Sequence, residues 1–212
     1  MTTPAVVSLV VAALFAVGDW VARGRHNVGL EYVCKPATLV ALIATAVAMS
    51  PAHDAGTRRD WFVAALACSL VGDVLLMLPT DRFVAGLAAF LVGHLCYVAG
   101  FWAHGPGAGA LAVAAIVVVL SVVPVASRVL GALRHRRQLA VPVALYMVVI
   151  SVMLATALAT GNVLAGAGAV LFVASDAMIA WNRFVRPFRA AELGIMVTYH
   201  LGQAGLVLSL LH

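Results

Sequence analysis

Cys68-Ser69-Leu70-Val71-Gly72-Asp73-Val74-Leu75-Leu76-Met77 places one acid inside an otherwise apolar run that extends over residues 61–79. A stretch of that length crosses the hydrocarbon core of a bilayer as a helix. A charged side chain there costs several kcal/mol even when it snorkels, so it is usually retained for function. Phe172-Val173-Ala174-Ser175-Asp176-Ala177-Met178 repeats the arrangement. The competing reading is a structural acid, hydrogen-bonded between helices. Two such acids in one small chain favour a functional pair.

Working outward, the composition demands lipid. The 212 residues are 64% hydrophobic and 10% charged, more apolar surface than a soluble core of this size can hide. Eight spans are predicted, near 3–21, 33–50, 61–79, 83–102, 107–127, 139–159, 163–184 and 191–211. None shows the alternation of a barrel wall. The expected fold is therefore all-α, a single integral membrane domain over 1–212 with short connections. The first span has no basic flank before it and reads as a retained helix. Cys34, Cys68 and Cys96 form no CxxC pair and read as small apolar residues.

The net charge of +5 has a topological explanation and needs no nucleic acid. Ten arginines (23, 25, 82, 128, 134, 136, 137, 183, 186 and 189) fall after odd-numbered spans, against Arg58 and Arg59 on the other side, tempered by Asp54 and Asp60. That bias puts the arginine-rich loops in the cytoplasm of a cell-membrane protein, with both termini outside. Trp20, Trp61, Trp102 and Trp181 lie near span ends, where interfacial anchors belong.

At about 1.5 Å per helical residue, Asp73 and Asp176 lie roughly 9–12 Å from the cytoplasmic side, with Tyr146 at a similar level. His94 and His200 come out deeper, and Asp19, Glu31 and Lys35 nearer the mouth. Asp19 therefore reads as dispensable. The outer half carries no charge within a predicted span, which describes a cavity open to the cytoplasm or inner leaflet. Phe90, His94, Tyr97 and Phe101 share one face of the fourth span, with Gly86, Gly93 and Gly100 on a nearby stripe suited to close helix contact. Met196, His200 and Gln203 share a face of the eighth, with Tyr199 beside it, and Ser69 sits one turn before Asp73, in reach of a hydrogen bond to it. Lys35 is the sole lysine, either a snorkelling residue or a counter-charge for an aspartate or phosphate. His26, His53, His104, His135 and His212 are loop or terminal residues, and the Arg134–Arg137 cluster is mainly a topology signal, with anionic headgroups a secondary use.

A repeat is also visible. Pro36 and Pro142 are 106 residues apart, Asp73 and Asp176 are 103 apart, and His94 and His200 are 106 apart. Two four-helix halves, 1–105 and 106–212, would be related by an axis along the membrane normal, with the aspartates across one central cavity.

Lys35-Pro36 opening the second span, Ser69-x-x-Gly72-Asp73-x-x-Leu76-Met77, Gly93-His94-x-x-Tyr97, Ser175-Asp176 and Tyr199-His200-x-x-Gln203 together resemble the YhhN-like family of integral membrane proteins, whose animal members are lysoplasmalogenases. The resemblance covers nearly the whole chain. It implies eight membrane helices, and hydrolysis of the vinyl ether bond of a lysoplasmalogen to a fatty aldehyde and glycerophosphoethanolamine or glycerophosphocholine. No cofactor is expected, and no metal, because the sequence holds no compact ligand motif. The resemblance assigns Asp73 and Asp176 as catalytic and makes Lys35, His94, Tyr97 and Tyr199 pocket candidates. Ser69, Tyr146, His200 and Arg183 join them by position. Enol ether cleavage needs one carboxylic acid to protonate carbon and one carboxylate to stabilise the cation or activate water, a division that paired acids can provide. A lysophospholipid from the inner leaflet is expected to lay its chain against Phe90, Met77 and Met178 and its phosphate near Lys35, Arg183 or Arg186.

Two other classes fit parts of the pattern. A small proton-coupled transporter would use intramembrane acids, but alternating access calls for polar groups on both sides of the midplane. A metal-dependent lipid hydrolase would gather Asp73, Asp176, His94 and His200, although no local ligand motif such as HExxH is present.

Overall fold

The computed structural model describes residues 1–49, 56–103, 105, 107–189 and 191–211. His53, Asp54, His104, His212, the end of the second predicted span at Ser50 and the boundary between the proposed halves at residue 106 lie outside the described residues. Among those described, the fold is all-α with eight helices long and apolar enough to cross a membrane. They are α1 (Thr3–Gly24), α2 (Val28–Ala48), α3 (Gly56–Met77), α4 (Phe83–Trp102), α5 (Ala108–Ala132), α6 (Arg137–Ala159), α7 (Val163–Ala180) and α8 (Ala191–Leu208). A π-helical turn, Trp181–Val185, extends α7, and a 3-10 turn, Ser209–Leu211, ends α8.

Polar caps set several starts. Asn27 accepts from the Leu30 amide at 3.1 Å, and Asn162 accepts from Leu164 and Ala165 at 3.0 and 3.1 Å. Each satisfies amides that a helix start leaves without a partner. Outward positions carry large apolar side chains such as Leu14, Val113 and Leu120 in the open, a surface that lipid rather than water covers.

The main departures from the predicted limits are extensions past the apolar runs, each carrying at least one charged residue. α2 and α3 begin five residues earlier than 33 and 61, and α5 runs five past 127. Hydropathy marks only lipid contact, whereas backbone hydrogen bonding carries a helix on into the interface. Lys35-Pro36 therefore lies inside α2 rather than opening it. The extension of α3 also brings Arg58 into the bundle at 5% exposure, donating to Ser209 Oγ at 2.9 Å, which corrects the expectation of a charge-free outer half. Trp20 departs from its expected place as well. It is half-buried and donates its indole N–H to His200 Nδ1 at 3.1 Å, so it ties α1 to α8 instead of anchoring at the interface.

Consecutive helices pair as hairpins, α1/α2, α3/α4, α5/α6 and α7/α8, and α4 also packs on α6 while α8 packs on α1 and α2. The glycine stripe of α4 faces α3, where a Cβ on Gly93 would stand 3.1 Å from the Ala65 carbonyl. α7 and α8 approach closer still. A Cβ on Gly168 would come within 2.7 Å of the Leu206 amide nitrogen and 2.9 Å of the Gly202 carbonyl, so only glycine permits this backbone contact. That packing sets Tyr199 and Asp176 on neighbouring helices and so positions the site.

Candidate active site

Asp73 lies four residues before the end of α3 and is fully enclosed. Lys35 Nζ of α2 meets its Oδ1 at 3.0 Å, and the Tyr199 hydroxyl of α8 donates to its Oδ2 at 2.8 Å. The side chains of Lys35 and Asp73 are 5% and 2% exposed, so Lys35 is a buried counter-charge and not a snorkelling lysine. The chain of hydrogen bonds continues. Gln203 Nε2 donates to the Tyr199 oxygen at 3.4 Å, and Tyr97 of α4 donates to Gln203 Oε1 at 2.5 Å. Four helices thus fix one carboxylate, and every partner is itself buried.

Asp176 is held differently. The Tyr146 hydroxyl of α6 donates to its Oδ2. His94 stacks edge-on against Tyr146, with ring centroids 5.3 Å apart, and against Phe172 at 4.7 Å. Its Nδ1 donates to the Phe90 carbonyl at 2.6 Å, because a carbonyl can only accept. That leaves Nε2 as a buried acceptor without a partner among the described residues. Phe172 and Phe90 in turn contact Tyr199 at 5.3 and 5.9 Å. An aromatic wall therefore stands between the two acids, which remain within electrostatic range of each other.

Asp176 opens into a cavity of about 450 Å³ between α4, α5, α6 and α7. Leu87, Phe90, Val118, Ile150 and Val173 are among its apolar lining, with Tyr146, Ser121 and Asp176 as its polar side chains. Val143 and Leu158, fifteen residues apart on α6, both line it, so it runs roughly 22 Å along that helix. This is a long, narrow, apolar slot with one carboxyl group on its wall. At the arginine-rich end stand Phe83 and Phe184, packed edge to face at 5.6 Å, with the Arg183 guanidinium 4.2 Å above the Phe83 ring. Arg183 also bonds Asp81 Oδ2 at 2.8 Å. The Phe83 amide and then Arg183 hold the Asp81 carboxyl below its usual range.

Several expected details change. Asp176 lines the cavity and Asp73 does not, so the two carboxylates do not open side by side into one central space. Ser69 donates to the Ala65 carbonyl at 2.9 Å, because its hydroxyl satisfies itself on its own helix rather than on Asp73. The cavity takes Phe90 as expected, but Met77 and Met178 are not among its lining. Arg183 braces the mouth through Asp81 and Phe83, and His200 Nδ1 accepts from Trp20. Gln203 emerges as a member of the Asp73 network. Its position one turn after Tyr199 on a shared face was the signal for it. Among the described residues no three His, Cys, Asp or Glu side chains come together as a metal-holding group.

Among the described residues, a polytopic helical bundle with buried acids beside an apolar slot defines the class as a multi-pass intramembrane protein. The YhhN family profile matches residues 30–210, and the chain belongs to that family. It is 40% identical over 168 residues to human lysoplasmalogenase TMEM86B, covering 77% of this chain and 67% of that protein. It is 34% identical over 171 residues to a lysoplasmalogenase of Mycobacterium bovis, covering 78% of this chain and 66% of that one. A rat lysoplasmalogenase TMEM86B is 35% identical over 184 residues, 84% of this chain and 71% of its own. The chain thus spans about two thirds of the length of these relatives. No solved structure matches it significantly.

Proposed function

We propose that this protein is a membrane-embedded ether hydrolase that cleaves the vinyl ether bond of a lysoplasmalogen. The observation that carries the reading is the Asp176 carboxyl, bonded by Tyr146, on the wall of an apolar slot long enough for much of a fatty chain. The relatives named lysoplasmalogenase supply the substrate class.

In the reaction, a proton adds to the β-carbon of the enol ether and positive charge spreads over the α-carbon and the ether oxygen. Water adds at the α-carbon and loses a proton. The resulting hemiacetal then breaks its C–O bond, giving the fatty aldehyde and the glycerophospho alcohol. Asp176, facing the slot, is the proton donor. Asp73, behind the aromatic wall, supplies the second carboxyl in the opposite protonation state, the division of labour that paired acids use for oxocarbenium-like transition states. The apolar lining of the slot lowers the local dielectric and strengthens both electrostatic effects. Lys35 is committed to Asp73, so the substrate phosphate falls to arginines at the mouth, Arg186 among them.

Purified protein in detergent is expected to release fatty aldehyde from a vinyl-ether lysolipid and to leave the matching ester lysolipid intact. Release of fatty acid from the ester, with no aldehyde from the vinyl ether, would overturn the reading.

The arginine bias supports a cell-membrane orientation in which the mouth opens to the cytoplasm and both termini lie outside. A reporter fused beyond the C-terminus is expected to be active only when it folds in the extracytoplasmic space. Cytoplasmic activity would invert the topology and move the mouth to the outer leaflet.

A further inference from the structure

Asp19 was expected to be a dispensable acid near the mouth. The structure instead buries it completely, at 0% exposure, and neither carboxyl oxygen has a hydrogen-bond partner among the described residues. A buried acid with nothing bound to it is costly and rare in native proteins, so its retention needs a reason.

The helix geometry supplies one. α1 runs towards the arginine-rich face and α2 runs away from it. Arg23 and Glu31 pair across them at 2.5 Å, nearest that face. One turn deeper on each helix, four residues before Arg23 and four after Glu31, come Asp19 and Lys35. Lys35 spends its ammonium on Asp73 of α3, and Arg23 is taken by Glu31, with Glu192 of α8 at 4.0 Å. Asp19 lies in electrostatic range of Arg23, Lys35, Glu31 and Asp73, and beside Cys34. On the α8 side stands His200, its Nδ1 occupied by Trp20. Three buried or nearly buried carboxyl groups thus share two cations, and Asp19 is the one left without a bond.

We propose that Asp19 is the second acceptor of the Lys35 ammonium, a positioning residue that allows Asp73 to change protonation state inside the membrane. Charge balance gives the carboxyl group without the ammonium the proton. When Lys35 crosses to Asp19, the O–H bond of Asp19 breaks, an O–H bond forms on Asp73, and the net charge of the buried group stays the same. Without Asp19, freeing Asp73 would strand a bare ammonium in a low-dielectric interior, which is strongly unfavourable. Asp73 is thus the carboxylate of the hydrolytic pair while it holds Lys35, and a neutral acid once Lys35 has crossed. Asp19 lies before residue 30, where the family match begins. The role rests on the reading of Asp73 as a working carboxyl group.

Lys35 is the sole lysine, so protein labelled with ¹⁵N-lysine gives one side-chain ammonium signal that reports its pairing directly. In Asp73→Asn the signal is expected to stay ion-paired and protected from exchange, now on Asp19, and to lose protection only in Asp19→Asn/Asp73→Asn. Loss of protection in Asp73→Asn alone would overturn the proposal. In turnover, Asp19→Asn is expected to lower kcat about tenfold or more with KM within about twofold, and to alter the pH–rate profile, while Asp19→Glu restores most of the rate. Wild-type kcat and pH profile in Asp19→Asn would overturn it as well. The labelled-lysine measurement needs no turnover, so it separates failure of this proposal from failure of the hydrolase reading, which shows as absence of aldehyde from the wild-type protein.

Discussion

Asp176→Asn is expected to reduce aldehyde release by about 10³-fold or more while the protein keeps its fold and still binds lysolipid. Asparagine nearly matches aspartate in shape and still accepts from Tyr146, so the substitution removes proton donation and charge but not packing. General acid catalysis alone contributes about 10²–10⁴-fold, and the electrostatic stabilisation of a cation in an apolar slot adds to it. Asp73→Asn is expected to fall by a similar factor, because groups that act as a unit give non-additive losses, and the double variant should be little worse than either single one. Asp60→Asn is the control, since that side chain is 75% exposed and pairs with its neighbour Arg59. Near-wild-type turnover in both Asp73→Asn and Asp176→Asn would leave the acids as structural residues. Tyr146→Phe offers a finer measure. It removes the hydroxyl that donates to Asp176 and should lower kcat more than it raises KM.

The parts of this molecule that were legible in advance are those governed by local physics. Apolar length defined eight helices, and helical periodicity picked out Phe90, His94, Tyr97 and Phe101, all of which the structure buries on one face. The rarity of charge in lipid singled out Asp73, Asp176 and Lys35. What the sequence left open was which groups meet. Ser69 is one turn from Asp73, but the nearer carbonyl of Ala65 takes its hydroxyl. Tyr199 reaches Asp73 from 126 residues away and Tyr97 reaches Gln203 from 106, pairings that depend on how α4 and α8 pack. The common depth of the two aspartates suggested a shared cavity, but depth along a helix says nothing of the direction a side chain faces. Asp176 looks towards α5 and α6, whereas Asp73 looks towards α2 and α8. Arg58 and Trp20 misled for a related reason. Residues near span ends were read as facing solvent or headgroups, and the bundle turned both inward. Residue type and depth were legible; rotation about the helix axis was legible only where a full apolar stripe declared it.

Lys35→Met is expected to be the most damaging single change to stability. It removes the ammonium that meets Asp73 Oδ1 at 3.0 Å and leaves the carboxylate, in a site 2% exposed to solvent, with the Tyr199 hydroxyl on Oδ2 as its remaining bond among the described residues. Breaking a buried pair by removing one partner costs about 3–5 kcal/mol, whereas removing both partners together is often neutral. The double variant Lys35→Met/Asp73→Asn should therefore recover much of the thermal stability in detergent that Lys35→Met loses, yet remain without activity, because the second carboxyl is gone. The Arg23–Glu31 pair provides the comparison. Its side chains are 21% and 15% exposed, so water screens it better and Arg23→Met should cost clearly less. Thermal unfolding of the four proteins measures the difference. If Lys35→Met melts with the wild type, the ammonium is not the counter-charge of Asp73 and lies free towards the headgroups. If it melts low and Asp73→Asn does not rescue it, the lysine stabilises through the packing of its stem against α3 and not through its charge. Rescue of stability without rescue of turnover separates the two roles of Asp73, as the anchor of α2 on α3 and as the second acid of the site.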